Sequence, residues 1–232
     1  MRDNQDNSRR IILAIDDVKK DAIDRIIDAT SPFLDIYKIG SITFTAFGPS
    51  IINEIMNRGK EVFLDLKYFD IPNTVSKAVR QAVSYGVKML TLHTLGGFDM
   101  LKAAADANNG RAALLGVTLL TSLDASQIER IGIVHDVPSM VKRLAVLAGD
   151  AGIDGLVASG HELELLRKTV GDKPVIVVPG IRIENGTPAG DQKRVVSPKQ
   201  AFESGADYIV VGRPVTESAD PADAVQKIIE TL

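Results

Sequence analysis

Asp65, Lys67 and Asp70 crowd one short stretch, Asp65-Leu-Lys67-Tyr-Phe-Asp70-Ile-Pro72-Asn-Thr74, directly after the apolar run Glu61-Val-Phe-Leu64. That run reads as a buried strand. On a regular strand, residues two apart project to the same side, so Asp65 and Lys67 are expected to face one another. Asp70 follows where Pro72 stops a regular ladder. Charges at the end of an apolar strand are costly to desolvate, and the cost makes sense if they face a cleft and act on a ligand. An alternating set of carboxylates and ammonium groups could stabilise a developing charge or move a proton. A surface turn with an incidental salt bridge would look the same locally, so the rest of the chain must decide.

The elements around this stretch point to a barrel. Short β-branched runs recur at Ile11–Ile15, Ile36–Ile39, Val62–Leu66, Met89–Leu92, Ala113–Leu119, Gly155–Ala158, Val175–Val178 and Tyr208–Val211. They show no clean polar alternation, which suits parallel strands covered on both faces. Helical patterns fill the gaps, among them Ile51–Met56, Val75–Ser84, Met140–Ala148 and Ala222–Ile229. Asp220-Pro221 and Ser197-Pro198 read as N-caps followed by proline at the first helical position. Gly59, Gly86, Gly152 and Gly205 each stand just before a strand, where a left-handed C-cap turns the chain back. Eight such units in 232 residues predict an α/β fold, a single-domain (β/α)8 TIM barrel over residues 11–232. An open doubly wound sheet is the runner-up, but Asp16-Asp17-Val18-Lys19 stands where a glycine-rich dinucleotide loop would follow the first strand. Residues 1–10 are polar and are expected to form a mobile lead-in.

Functional groups in a barrel collect at the carboxyl ends of the strands, and here those ends are polar. Asp16 ends the first, Lys38 lies inside the second, Asp65 and Lys67 end the third, and His93 ends the fourth. Thr121-Ser122 follows the fifth, Pro179-Gly180-Ile181-Arg182 the seventh and Gly212-Arg213 the eighth. Lys38 in an apolar strand needs a carboxylate, for which Asp65 is the candidate, unless it snorkels at the mouth. Gly212-Arg213 suits a phosphate, with backbone N–H groups free to approach and a guanidinium fork on the oxygens. Arg213 as a plain surface arginine is the alternative. Residues 181–196 form a long Gly- and Pro-containing stretch beside that place, read as a lid or else a tolerated insertion. Within it Arg182 could reach a phosphate and Gln192 could hydrogen-bond a ligand.

Composition narrows the partners. Net charge is -3 with 25% charged residues, which gives no electrostatic case for nucleic acid or an anionic membrane. Cysteine is absent, excluding disulfides and thiolate chemistry and fitting a cytoplasmic location. No apolar run approaches the ~20 residues of a membrane span. His93, His135 and His161 are scattered, and no metal site is expected.

Together these residues resemble the orotidine 5'-monophosphate decarboxylase family, in its bacterial form, from about Ile11 to the C-terminus. The resemblance rests on Ala14-Ile15-Asp16, Tyr37-Lys38-Ile39-Gly40, the Asp65–Thr74 stretch, Thr121-Ser122, Pro179-Gly180-Ile181-Arg182, Gly190-Asp191-Gln192 and Gly212-Arg213. It implies loss of CO2 from C6 of orotidine 5'-monophosphate to give UMP in pyrimidine biosynthesis, with no cofactor. It implies that Lys38, Asp65, Lys67 and Asp70 form the charge array, with Lys67 as proton donor. Asp70 and Thr74 would reach the ribose from a partner subunit, making the protein a homodimer with shared active sites. Asp16 would hold a ribose hydroxyl and Ser122 the pyrimidine. Arg182, Gln192, Gly212 and Arg213 would grip the 5'-phosphate. Sugar-phosphate relatives share the Asp-x-Lys-x-x-Asp core but use Mg2+, so metal dependence separates the two readings.

Overall fold

The eight apolar runs are eight strands: β1 (Ile11–Ile15), β2 (Ile36–Gly40), β3 (Glu61–Tyr68), β4 (Met89–His93), β5 (Ala113–Val117), β6 (Gly155–Val157), β7 (Val175–Val178) and β8 (Tyr208–Val211). A computed structural model describes residues 7–182 and 196–232. Each strand pairs in parallel with the next, and β1 pairs with β8 to close the barrel. The strands are flanked by α1 (Lys20–Thr30), α2 (Ser41–Phe47), α3 (Ser50–Asn57), α4 (Pro72–Ser84), α5 (Gly97–Asn108), α6 (Ala125–Arg130), α7 (Val137–Asp150), α8 (Leu163–Val170), α9 (Pro198–Glu203), α10 (Arg213–Thr216) and α11 (Pro221–Glu230).

The missing polar alternation has the cause expected of a parallel barrel: both faces of every strand are buried. Along β1, Ile11, Leu13 and Ile15 pack outward against the helices, while Ile12 and Ala14 face the barrel interior. The interior is filled by Ile12, Ile36, Phe63, Met89, Leu115, Val177 and Val210. The next inward position on five strands is then Asp16, Lys38, Asp65, Thr91 and Gly212. The apolar filling therefore stops one layer below a polar floor, and strand parity puts it there.

The helix-to-strand joints carry the signals read from sequence. Gly59, Gly86, Gly152 and Gly205 have φ of 70°, 83°, 83° and 105°, a region that only glycine enters cheaply. The similar joints Gly152-Ile-Asp154 and Gly205-Ala-Asp207 share a second device. Asp154 accepts from the Leu114 N–H at 2.9 Å and Asp207 from the Ile176 N–H at 2.7 Å, so each carboxylate satisfies the neighbouring strand. Ser197 and Asp220 cap α9 and α11, each with proline at the first helical position.

Several strand ends differ from expectation by one residue, and three differences are larger. Strand β5 ends at Val117 rather than Leu119, since Thr118 and the residues after it leave the regular strand while Thr118 and Leu119 stay buried. Strand β3 runs on to Tyr68. Residues Asn7–Arg10 form a 3-10 turn, and the Arg10 guanidinium lies 4.0 Å over the Phe202 ring while donating to the Asp207 carbonyl at 3.0 Å. The chain is thus anchored to the amino-terminal end of the barrel before Ile11. Residues 1–6 lie outside the described part.

Candidate active site

Lys38 is buried on β2. Its ammonium lies 3.5 Å from Asp65 Oδ2 and 3.6 Å from Asp16 Oδ1. The other oxygen of Asp65 accepts from Lys67 Nζ at 2.7 Å. The sequence therefore brings Asp16, Lys38, Asp65 and Lys67 into one chain of alternating charge. Exposure grades along it: the side chains of Lys38 and Asp65 are 11% and 12% exposed, Lys67 is 36% exposed and Asp16 48%. The buried members hold one another, and the outer members remain open to a ligand.

Asp65 and Lys67 meet, but not through strand alternation. The β3–β4 register breaks between Leu64 and Tyr68, so four steps on β3 span two on β4. Lys67 sits there with φ 48°, in the left-handed region that costs a side-chain-bearing residue about 1–2 kcal/mol. The expectation of a regular strand through Lys67 is corrected by this bulge.

Thr91 was not singled out by the sequence. It is fully buried on β4, donates to Asp65 Oδ1 at 2.9 Å, and accepts from the Lys67 N–H at 2.9 Å. The only signal was a polar residue inside an apolar strand, and threonine is common in strands. Gly40 has a spatial reason that the motif did not reveal: a Cβ there would meet Asp16 Oδ1 at 2.9 Å and Lys38 Nζ at 3.2 Å. Glycine keeps the space between those two charges clear.

Burial alone would raise the Asp65 pKa. The ammonium groups of Lys38 and Lys67 and the hydrogen bonds from Lys67 and Thr91 outweigh it, holding the carboxyl below its ordinary value. Burial, and then the Lys67 charge, lower the His93 pKa and favour the neutral ring. Its Nδ1 accepts from the Leu95 N–H at 3.4 Å and its ring lies 5.6 Å from that of Phe69.

The remaining expected residues ring the mouth. Asp70 is exposed, accepts from the Ile71 N–H at 2.6 Å, and makes no ion pair with Lys67 among the described residues. Thr74 is exposed in the first turn of α4, and Ser122 is exposed in the turn after β5. Gly180, with φ 77°, turns the chain out of β7, and the Arg182 N–H donates to the Val196 carbonyl at 2.9 Å. Arg213 opens α10 directly after Gly212 and is exposed. Because β7 and β8 are neighbours, Arg182 and Arg213 stand on adjacent loops. Gln192 lies outside the described residues. No group of three or more His, Asp or Glu side chains with metal-site spacing occurs among the described residues.

A parallel barrel with ionised side chains gathered at the carboxyl ends of its strands is the arrangement of a TIM-barrel enzyme. The sequence model of the orotidine 5'-phosphate decarboxylase / HUMPS family matches residues 9–228. A protein of Pelobacter propionicus named orotidine 5'-phosphate decarboxylase is 44% identical, covering 99% of this chain and 98% of its own. One of the same name from Coxiella burnetii is 43% identical over 94% of each chain. The crystal structure of orotidine 5'-phosphate decarboxylase from Lactobacillus acidophilus superposes with a TM-score of 0.82 at 31% identity, over 96% of this chain and 98% of that one. The chain belongs to the orotidine 5'-phosphate decarboxylase / HUMPS family.

Proposed function

We propose that this protein removes CO2 from C6 of orotidine 5'-monophosphate to leave UMP, as a step of pyrimidine biosynthesis, using its own side chains and no cofactor. The observation that carries the reading is the alternating cluster in which Lys67 is held at 2.7 Å by a buried carboxylate and is still one-third exposed. The near full-length relatives named as decarboxylases favour this activity over the other branch of the family name.

The order of strands around the barrel suits a nucleotide. Arg182 and Arg213, after β7 and β8, would take the phosphate, with Gly212 allowing close approach of the backbone. Asp16, after the neighbouring β1, would accept from a ribose hydroxyl. The base would then lie over β2 to β5, with Ser122 hydrogen-bonding its edge and C6 facing Lys67. Gln192 would bridge phosphate and base.

In the reaction the C6–CO2 bond breaks and its electron pair stays on C6, in the ring plane, where no π-system spreads it. CO2 leaves, and an N–H of the Lys67 ammonium gives its proton to C6. The neutral amine recovers a proton from solvent. Enzymes supply ~8–23 kcal/mol of stabilisation, and a reaction this difficult calls for the upper part of that range. Charges fixed before the ligand arrives supply it without reorganisation. The anion of Asp65 would also press on the substrate carboxylate, a stress that departure of CO2 relieves.

Two copies of the chain would share their sites. Asp70 stands between Phe69 and Ile71, which are 61% and 66% exposed, and such apolar exposure beside a charge array suits a partner surface. Across that surface Asp70 would join the partner's array and Thr74 the ribose. No helix among the described residues is long and apolar enough to cross a membrane, and a cytoplasmic location fits the cysteine-free sequence.

Loss of orotidine 5'-monophosphate absorbance with the purified protein at pH 7, with and without EDTA, tests the reading. Turnover unchanged by EDTA and abolished by Lys67→Ala is expected. Absence of turnover, or turnover restored only by Mg2+, overturns the assignment. Near-normal turnover in Lys67→Ala overturns the role given to that lysine.

A further inference from the structure

We infer that Thr91 is a positioning residue that locks the Lys67 bulge and the Asp65 carboxylate into one arrangement, an inference resting on the proposed decarboxylation. The register break in β3 takes the Lys67 N–H out of the ladder with β4. A buried N–H without a partner is costly, and the left-handed φ of 48° at Lys67 adds strain that its surroundings must hold. The Thr91 hydroxyl answers both needs. Its lone pair receives the Lys67 N–H at 2.9 Å, and its single proton goes to Asp65 Oδ1 at 2.9 Å.

The geometry closes on itself. Asp65 Oδ1 takes donors from Thr91 and from Lys67 Nζ, while Thr91 takes the backbone of that same lysine. Backbone and ammonium of Lys67 are thereby fixed against the same two side chains. Thr91 is fully buried, so solvent has no route to replace the hydroxyl. Asp65 Oδ2 is left facing Lys38 at 3.5 Å, so the rotamer set by Thr91 also sets the spacing of the two ammonium groups. A small error in that spacing is expected to reach the chemical step more than ligand capture, because orientation at the reacting centre is steeply sensitive to position.

Thr91→Val removes the hydroxyl and keeps the shape, while Thr91→Ser keeps the hydroxyl and loses the methyl. Thr91→Ala is the second hydroxyl-free variant should valine fail to fold. The expected result is a fall of about 10- to 100-fold in kcat for the hydroxyl-free variants, the size of a lost hydrogen bond to a charged group, with KM within about threefold. Thr91→Ser is expected to stay within about fivefold of the parent in kcat. Hydrogen exchange at the Lys67 amide, read by NMR in the full protein, supplies a measurement free of activity. It should quicken in Thr91→Val or Thr91→Ala and stay slow in Thr91→Ser. Parent-like kcat and exchange without the hydroxyl, or a serine variant as impaired as the alanine one, overturn the inference. If the parent shows no turnover, the functional reading fails on that result, and amide exchange alone decides the role of Thr91.

Discussion

Replacing Asp65 by Asn removes one charge and almost no volume from the centre of the cluster. At an effective dielectric of about 20, the attractions to Lys67 at 2.7 Å and Lys38 at 3.5 Å amount to about 6 and 5 kcal/mol before desolvation is counted. Most of that offsets the cost of burying the carboxylate. What remains on breaking one partner out of a buried pair is about 3–5 kcal/mol. The low end applies here, because Lys67 is partly solvated and Lys38 keeps Asp16 at 3.6 Å. A loss of about 3 kcal/mol corresponds to a fall of roughly 6–12 °C in Tm for a chain of this size. Urea unfolding at fixed protein concentration and pH 7 measures it. The acid side gives a second check. The Asp65 pKa is depressed in the folded protein, so its contribution is complete above the ordinary carboxylate range of about 4 and fades as pH falls through the lowered value. The gap between parent and Asp65→Asn should therefore be flat from pH 7 to about pH 5 and close in stronger acid. Equal or greater stability of Asp65→Asn at pH 7 would refute the reasoning, because the carboxylate would then cost more in burial than the two ammonium groups return.

Three further outcomes follow from the site. Gly40→Ala pushes a methyl to 2.9 Å from Asp16 Oδ1 and 3.2 Å from Lys38 Nζ, and kcat/KM should drop about tenfold with Tm little altered; parent-like kinetics would show that the spacing is slack. Arg213→Ala should cut kcat/KM by about 100-fold or more while the truncated nucleoside substrate is turned over equally by both proteins, whereas an equal loss on both substrates would remove Arg213 from the phosphate site. Mixing Lys67→Ala subunits with Asp70→Ala subunits should restore part of the activity by leaving one shared site intact, and no recovery after proven subunit exchange would count against sharing.

The strands were legible because a β-branched run flanked by glycine has few other fates. The charges were legible because Lys38 and Asp65 interrupt such runs. Helices α1 and α5 left weaker marks: Lys19 gives α1 no side-chain cap, and α5 starts at Gly97 after Gly96, a pair that reads as a loop. The bulge at Lys67 left none, since the left-handed region is usually announced by glycine or asparagine. Thr91 was hidden for another reason. Its meaning lies in the register between β3 and β4, and pairing across strands is a tertiary fact that spacing along one strand does not carry.

The bulge also sets how Lys67 meets Asp65. On a regular strand the residue two places after Asp65 would stand about 6.7 Å further along, pointing inward over the same column. With two extra residues set against β4, Lys67 takes a left-handed φ of 48° and donates its ammonium to Asp65 Oδ1 at 2.7 Å. The anion remains 12% exposed and the cation 36%. A ligand descending from the mouth thus meets a proton donor before it meets the carboxylate that holds it.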